Sequence, residues 1–154
     1  MGASVGVVLS GAFDKTWDQL CVGDELTTAA RTITEADVVT FAELTGDRHP
    51  LHVDREWAMR SPFGERIAQG LLIVAYAFGL APLNPARVVV VRRLRDVAFP
   101  RPVRIGDAIR ARCRVRELKP VDDDLGLVDW AWEVVNQDDE LNVRLAVELL
   151  WRRW

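Results

Sequence analysis

The chain has 154 residues, 49% of them hydrophobic and 28% charged, the balance of a folded globular protein and not of a disordered one. A formal charge of −3 argues against a nucleic-acid binder that relies on a broadly basic surface, and the longest nearly unbroken apolar run, residues 70–83, is too short and too interrupted to span a bilayer. The length points to one domain over residues 1–154, and neither a nucleic-acid nor a membrane partner is expected.

Residues 1–13 are apolar but carry no Lys or Arg ahead of the hydrophobic stretch, unlike a secretory leader, so a cytoplasmic location is expected. Residues 5–9 and 25–33 are alternative sites for a first strand. The first clear helix starts at Thr34. Thr34 and Asp37 resemble a capping box, Val38, Phe41, Ala42 and Leu44 share an apolar face, and Gly46 suits the stop. A polar loop follows, Asp47-Arg48-His49-Pro50-Leu51-His52. Asp54 then caps a short helix through Trp57 and Met59 that ends before Pro62. Residues 71–78, opened by Gly70, are apolar on every side, and their length favours a helix enclosed all round by protein.

Beyond Pro85 the pattern turns to strands. Residues 87–97 read as one, and Ile109, Ala111, Cys113 and Val115 then alternate with Arg110, Arg112, Arg114 and Arg116, a half-buried strand with a solvated arginine face. Val128, Trp130, Trp132 and Val134 repeat the alternation, with the tryptophans as core or dimer contacts. Residues 137–140 read as a hairpin connection, and Leu141, Val143, Leu145, Val147, Leu149 and Trp151 share the face of a last strand. Three long antiparallel strands and one enclosed helix imply an α+β fold, a sheet curled around a buried central helix. Its open side needs cover, so a homodimer is expected.

The two histidines, His49 and His52, sit in the same short loop as Asp47. Such a loop also makes an ordinary turn, but this one lies between two helices, so its side chains leave a held backbone. An Asp and a His five residues apart can orient one water between them, and an imidazole titrates near neutral pH, so together they can remove and return a proton. No Ser or Cys sits in an elbow motif, and Cys21, Cys113 and the histidines match no metal-ligand spacing, so neither covalent acyl transfer nor a metal is expected. Gly70 at a helix start would let an oxygen approach unpaired N–H groups closely, either as a tight helix opening or as an oxyanion donor.

The segment Gly46-Asp47-Arg48-His49-Pro50-Leu51-His52-Val53-Asp54, followed by Phe63-Gly64-Glu65-Arg66-Ile67-Ala68-Gln69-Gly70-Leu71-Leu72, resembles the MaoC-like dehydratase family, the (R)-specific enoyl-CoA hydratases of the hot-dog fold. Phe99-Pro100-Arg101-Pro102-Val103-Arg104-Ile105-Gly106-Asp107 resembles the strand-turn segment of that family. The resemblance implies a hot-dog fold and reversible addition of water to a trans-2-enoyl thioester, giving the (R)-3-hydroxyacyl thioester without metal or organic cofactor. It implies Asp47 and His52 as the dyad that activates water, and the Gly70 N–H as the donor to the thioester carbonyl. It also implies an acyl-CoA or acyl-carrier-protein thioester as the substrate.

Three positions depart from the pattern. His49 stands where the family usually has Asn, Gln69 where it usually has His, and Phe78 where some members carry a small or hydroxyl residue beside the acyl pocket. His49, Gln69 and Phe78 are therefore candidates for lining the site, as is Tyr76, which otherwise packs, from its place in the helix beside the acyl tunnel. Two further readings stay open: a non-catalytic acyl-thioester binder or one half of a heterodimeric dehydratase, and a hot-dog thioesterase.

Overall fold

The computed structural model describes residues 11–154, so the candidate strand at residues 5–9 lies outside the described residues. The strands are β1 (Glu25–Thr27), β2 (Arg31–Thr32), β3 (Val88–Ala98), β4 (Ala108–Pro120), β5 (Leu125–Val135) and β6 (Leu141–Arg152). All pair antiparallel in one sheet ordered β1-β4-β5-β6-β3, with β2 also on β4. The helices are α1 (Glu35–Thr45), α2 (Pro50–Val53), α3 (Arg55–Met59) and α4 (Gly70–Leu80). α4 lies against β4 and β6, and the architecture is the hot-dog fold.

Alternation set the three long strands. Ile109, Ala111, Cys113 and Val115 are buried on β4, Val128, Trp130, Trp132 and Val134 on β5, and Val143, Leu145, Val147, Leu149 and Trp151 on β6. Phe13 stacks on Trp130 with ring centroids 4.7 Å apart, and Trp151 tilts against both, so Trp130 and Trp151, with the equally buried Trp132, are core. The arginine face of β4 is engaged: Arg110 and Arg112 both pair with Asp139, and Arg114 with Glu25 of β1. Asp139 occupies the left-handed region (φ 59°) in the connection from β5 to β6.

Two expectations about helix faces need correction. Leu44 is 80% exposed; α1 buries Val38 and Ala42, and its last turn runs past the core. α4 is not enclosed all round, because Leu71 is 66% exposed and Ala75 and Gly79 follow it as exposed residues at a four-residue spacing. Among the described residues, the sheet and α1 cover one side of this helix, and the other is open. Among the described residues β3 is likewise an open edge, with Val89, Val90, Val91, Leu94 and Val97 exposed.

The capping box of α1 forms as the residues suggest: the Asp37 N–H donates to Thr34 Oγ1, and the Thr34 N–H donates to Asp37 Oδ2. Asp37 also accepts from the Tyr76 hydroxyl at 2.6 Å and from Arg31 at 3.1 Å, which ties α4 and β2 to the start of α1. Burial pushes the Asp37 carboxyl up, but hydrogen bonds from Tyr76, Thr34 and Arg31 outweigh it and bring it to about 2. A carboxyl held below its unfolded value stabilises the fold above about pH 4, and that contribution is lost as pH falls toward 2. Asp37→Asn is therefore expected to cost on the order of 1 kcal/mol at neutral pH. The gap in Tm from wild type should close between about pH 4 and pH 2 in thermal melts. A gap independent of pH would refute this account.

Candidate active site

Asp47 leaves the end of α1 directly after Gly46, whose left-handed backbone (φ 81°) ends the helix. Its N–H donates to Thr45 Oγ1 at 3.2 Å, which fixes where the carboxylate departs from the chain. The stretch read as a loop is half helical. Pro50 at the first position of α2 has its φ preset, and His49 Nδ1 accepts the Leu51 N–H at 3.1 Å. His49 is thus the cap of α2, and its ring lies edge-on to Trp57 with centroids 5.3 Å apart. An imidazole that accepts through Nδ1 fixes the turn much as a side-chain amide oxygen would.

His52 is on α2, and its Nδ1 lies 2.7 Å from the Ile67 carbonyl oxygen. A carbonyl only accepts, so Nδ1 donates its hydrogen, and in the neutral ring Nε2 keeps the lone pair. The chain around Ile67 is itself strapped in place. The Ile67 N–H donates to the Leu51 carbonyl at 3.3 Å, and the Ala68 N–H to the Val103 carbonyl at 2.8 Å. The His52 ring is therefore bonded to a short segment, itself anchored by two backbone hydrogen bonds, that leads straight into α4.

Gln69 caps α4 by backbone conformation alone, with no side-chain cap hydrogen bond among the described residues. Its Nε2 instead donates to the Val38 carbonyl of α1 at 3.1 Å. Those uncapped N–H groups and the positive end of the helix dipole favour developing negative charge. The backbone at Gly70 is closely covered: a Cβ there would meet the Phe99 ring at 2.6 Å.

Asp47, His52, Gln69 and Gly70 line one cavity of about 480 Å³, with Phe99 and Asn142 across from them in the sequence. That volume suits a small organic ligand. Three other candidates lie elsewhere. His49 caps α2 and does not line this cavity, and Tyr76 is held by Asp37 and Arg31 on the α1 side. Phe78 tilts against Trp132 at 4.7 Å, two helical turns and about 12 Å beyond Gly70 along the axis. Phe99 and Asn142 were missed as lining residues. Phe99 carries no chemical signal, and Asn142 occupies an outward position in the strand alternation, where a polar residue reads as solvated.

Residues 19–131 match the MaoC like domain family. The chain belongs to this MaoC-like dehydratase family. Protein MaoC of Klebsiella aerogenes is 36% identical over 121 residues, 77% of this chain and 36% of that protein. A 3-hydroxybutyryl-CoA dehydratase of Methylorubrum extorquens is 42% identical over 91 residues, 57% of this chain. The chain spans no more than 56% of either relative's own length. The solved monoamine oxidase regulatory protein of Archaeoglobus fulgidus superposes with a TM-score of 0.86 at 36% identity, covering 91% of this chain and 95% of that one. Among the described residues, no helix is long and apolar enough to cross a membrane.

Proposed function

We propose that this MaoC-like protein is a hydratase/dehydratase, a carbon–oxygen lyase acting reversibly on a trans-2-enoyl thioester. The observation that carries the reading is the meeting of Asp47, His52 and Gly70 in one cavity, with His52 bonded through Nδ1 to the Ile67 carbonyl so that Nε2 is left for the substrate side. Asp47 and His52 hold a water molecule; its oxygen bonds to the β-carbon as a proton passes to the dyad. The electron pair of the C=C bond moves toward the thioester carbonyl, whose oxygen takes up negative charge beside the Gly70 N–H. The proton is then returned to the α-carbon, which completes the (R)-3-hydroxyacyl thioester. The step draws on no metal or organic cofactor, and the names of the relatives support this chemistry.

Incubation with crotonyl-CoA tests it. Loss of the conjugated enoyl absorbance with formation of (R)-3-hydroxybutyryl-CoA is the expected result, and release of free thiol instead would identify a thioesterase.

A homodimer belongs to the same reading. The β3 edge ends at Phe99, which lines the cavity, so a second copy paired there would cover the exposed valines and abut the site. Sedimentation should give twice the 17.3 kDa chain mass, and Val90→Lys with Leu94→Lys should give the single mass. A wild-type monomer would refute the pairing.

A further inference from the structure

The chain has two histidines, and their hydrogen bonds require opposite tautomers. His52 donates through Nδ1 to the Ile67 carbonyl, whereas His49 accepts the Leu51 N–H at Nδ1, so its neutral ring carries the hydrogen on Nε2. One run of hydrogen bonds joins the two rings. Leu51 gives its N–H to the His49 ring, its carbonyl accepts the Ile67 N–H at 3.3 Å, and the Ile67 carbonyl accepts from the His52 ring. The His49 carbonyl also accepts the His52 N–H at 2.9 Å. α2 has only four residues, and Pro50 at its start has no N–H, so Leu51 brings the first donor and the His49 ring meets it. Ile67 is followed by Ala68, which is anchored separately on Val103. If α2 loosens, His52 therefore moves against Ile67 and the cavity instead of carrying them along.

We infer that His49 is a positioning residue for His52, and that it holds α2 in place only while its own ring is neutral. Protonated, His49 bears hydrogen on both nitrogens, so Nδ1 faces the Leu51 N–H as donor against donor and the cap opens. Protonating His52 is a different event: it removes the Nε2 lone pair but leaves the Nδ1–H bond to Ile67 intact. Two separate protons therefore silence the site, one by occupying the base and one by releasing the turn that carries it. The His49 residue is exposed, so solution pH reaches it directly. His52 faces it from α2 with ring centroids 6.1 Å apart, and the uncharged Trp57 ring packs on it from α3. Asp47 and Arg48 precede it, and Asp54, Arg55 and Glu56 lie at the start of α3; among the described residues none of them bonds to its ring.

The kinetic consequence rests on the hydratase reading above, so the test has an arm that needs no turnover. In nitrogen-15 spectra of the free protein at neutral pH, His49 should carry its hydrogen on Nε2 and His52 on Nδ1, with His49→Asn assigning the two rings. On acidification the Leu51 amide should shift in step with the His49 ring. That shift should vanish in His49→Asn, whose amide oxygen caps without titrating. A His49 hydrogen on Nδ1, or a Leu51 shift that persists in His49→Asn, would overturn the proposal. If that variant does not fold, the wild-type spectrum still decides, since two rings of the same tautomer would refute the assignment. In hydration of crotonyl-CoA, log(kcat/KM) should fall toward acid with a slope approaching about two in wild type and about one in His49→Asn. His49→Ala should lower kcat about tenfold or more with KM little changed, and His49→Asn should restore most of that loss. A slope of about one in both enzymes would equally overturn the inference. Absence of turnover at every pH would remove the hydratase reading and leave the spectra to decide this one.

Discussion

Asp47→Asn and His52→Ala should each abolish hydration of crotonyl-CoA while leaving the melting temperature nearly unchanged. The expected loss is on the order of 10³-fold or more, since general acid–base catalysis alone contributes about 10² to 10⁴ and the water would also lose its orientation. Stability should survive because Asp47 is exposed and bonded through its backbone, and because His52 is only half buried. His52→Ala does remove the hydrogen bond to the Ile67 carbonyl, but the Ile67 and Ala68 N–H bonds still anchor that segment. Steady-state rates and thermal melts on both variants check this. A variant retaining a tenth of wild-type activity would remove its residue from the proposed dyad.

Gly70→Pro isolates a backbone donor, which side-chain substitutions ordinarily cannot do. Gly70 is the first residue of α4, where a helix tolerates proline because that N–H has no intrahelical partner. Gln69 ahead of it already has φ −60° and ψ 132°, the extended conformation a following proline demands. The one obstacle is the Phe99 ring, which a new Cβ would meet at 2.6 Å. The comparison is therefore made in a Phe99→Ala background, Gly70→Pro against Gly70→Ala. Both carry a Cβ and only one lacks the N–H. A kcat lower by about 10² to 10³ in the proline variant is expected if this N–H holds the developing oxyanion. Equal rates would assign Gly70 to close approach by Phe99 and nothing more.

Most of the scaffold was legible from local rules. The Thr34/Asp37 box and Gly46 bracket α1, Asp54 caps α3, and the alternation of β4, β5 and β6 separates buried from exposed faces over long runs. These signals depend on neighbours within a few residues, so a single chain reveals them. α2 was missed because its cap is a histidine ring, which capping preferences do not anticipate, although Pro50 marked the position. The enclosure of α4 was overestimated because uniform apolarity does not say whether a sheet, another helix or a second copy supplies the cover.

For the site, sequence determined the residue types and their order: an acid and an imidazole five residues apart, and a glycine opening an apolar helix. It could not assign their companions. Tertiary structure alone decided that His52 donates through Nδ1 to Ile67, that Tyr76 turns to Asp37 and away from the cavity, and that Asn142, from a strand 95 residues beyond Asp47 in the chain numbering, joins the lining. The reason is physical. Capping and alternation follow from short-range sterics and hydrogen bonding, whereas the tautomer of a ring and the partner of a buried amide depend on which distant backbone groups folding brings within hydrogen-bond reach.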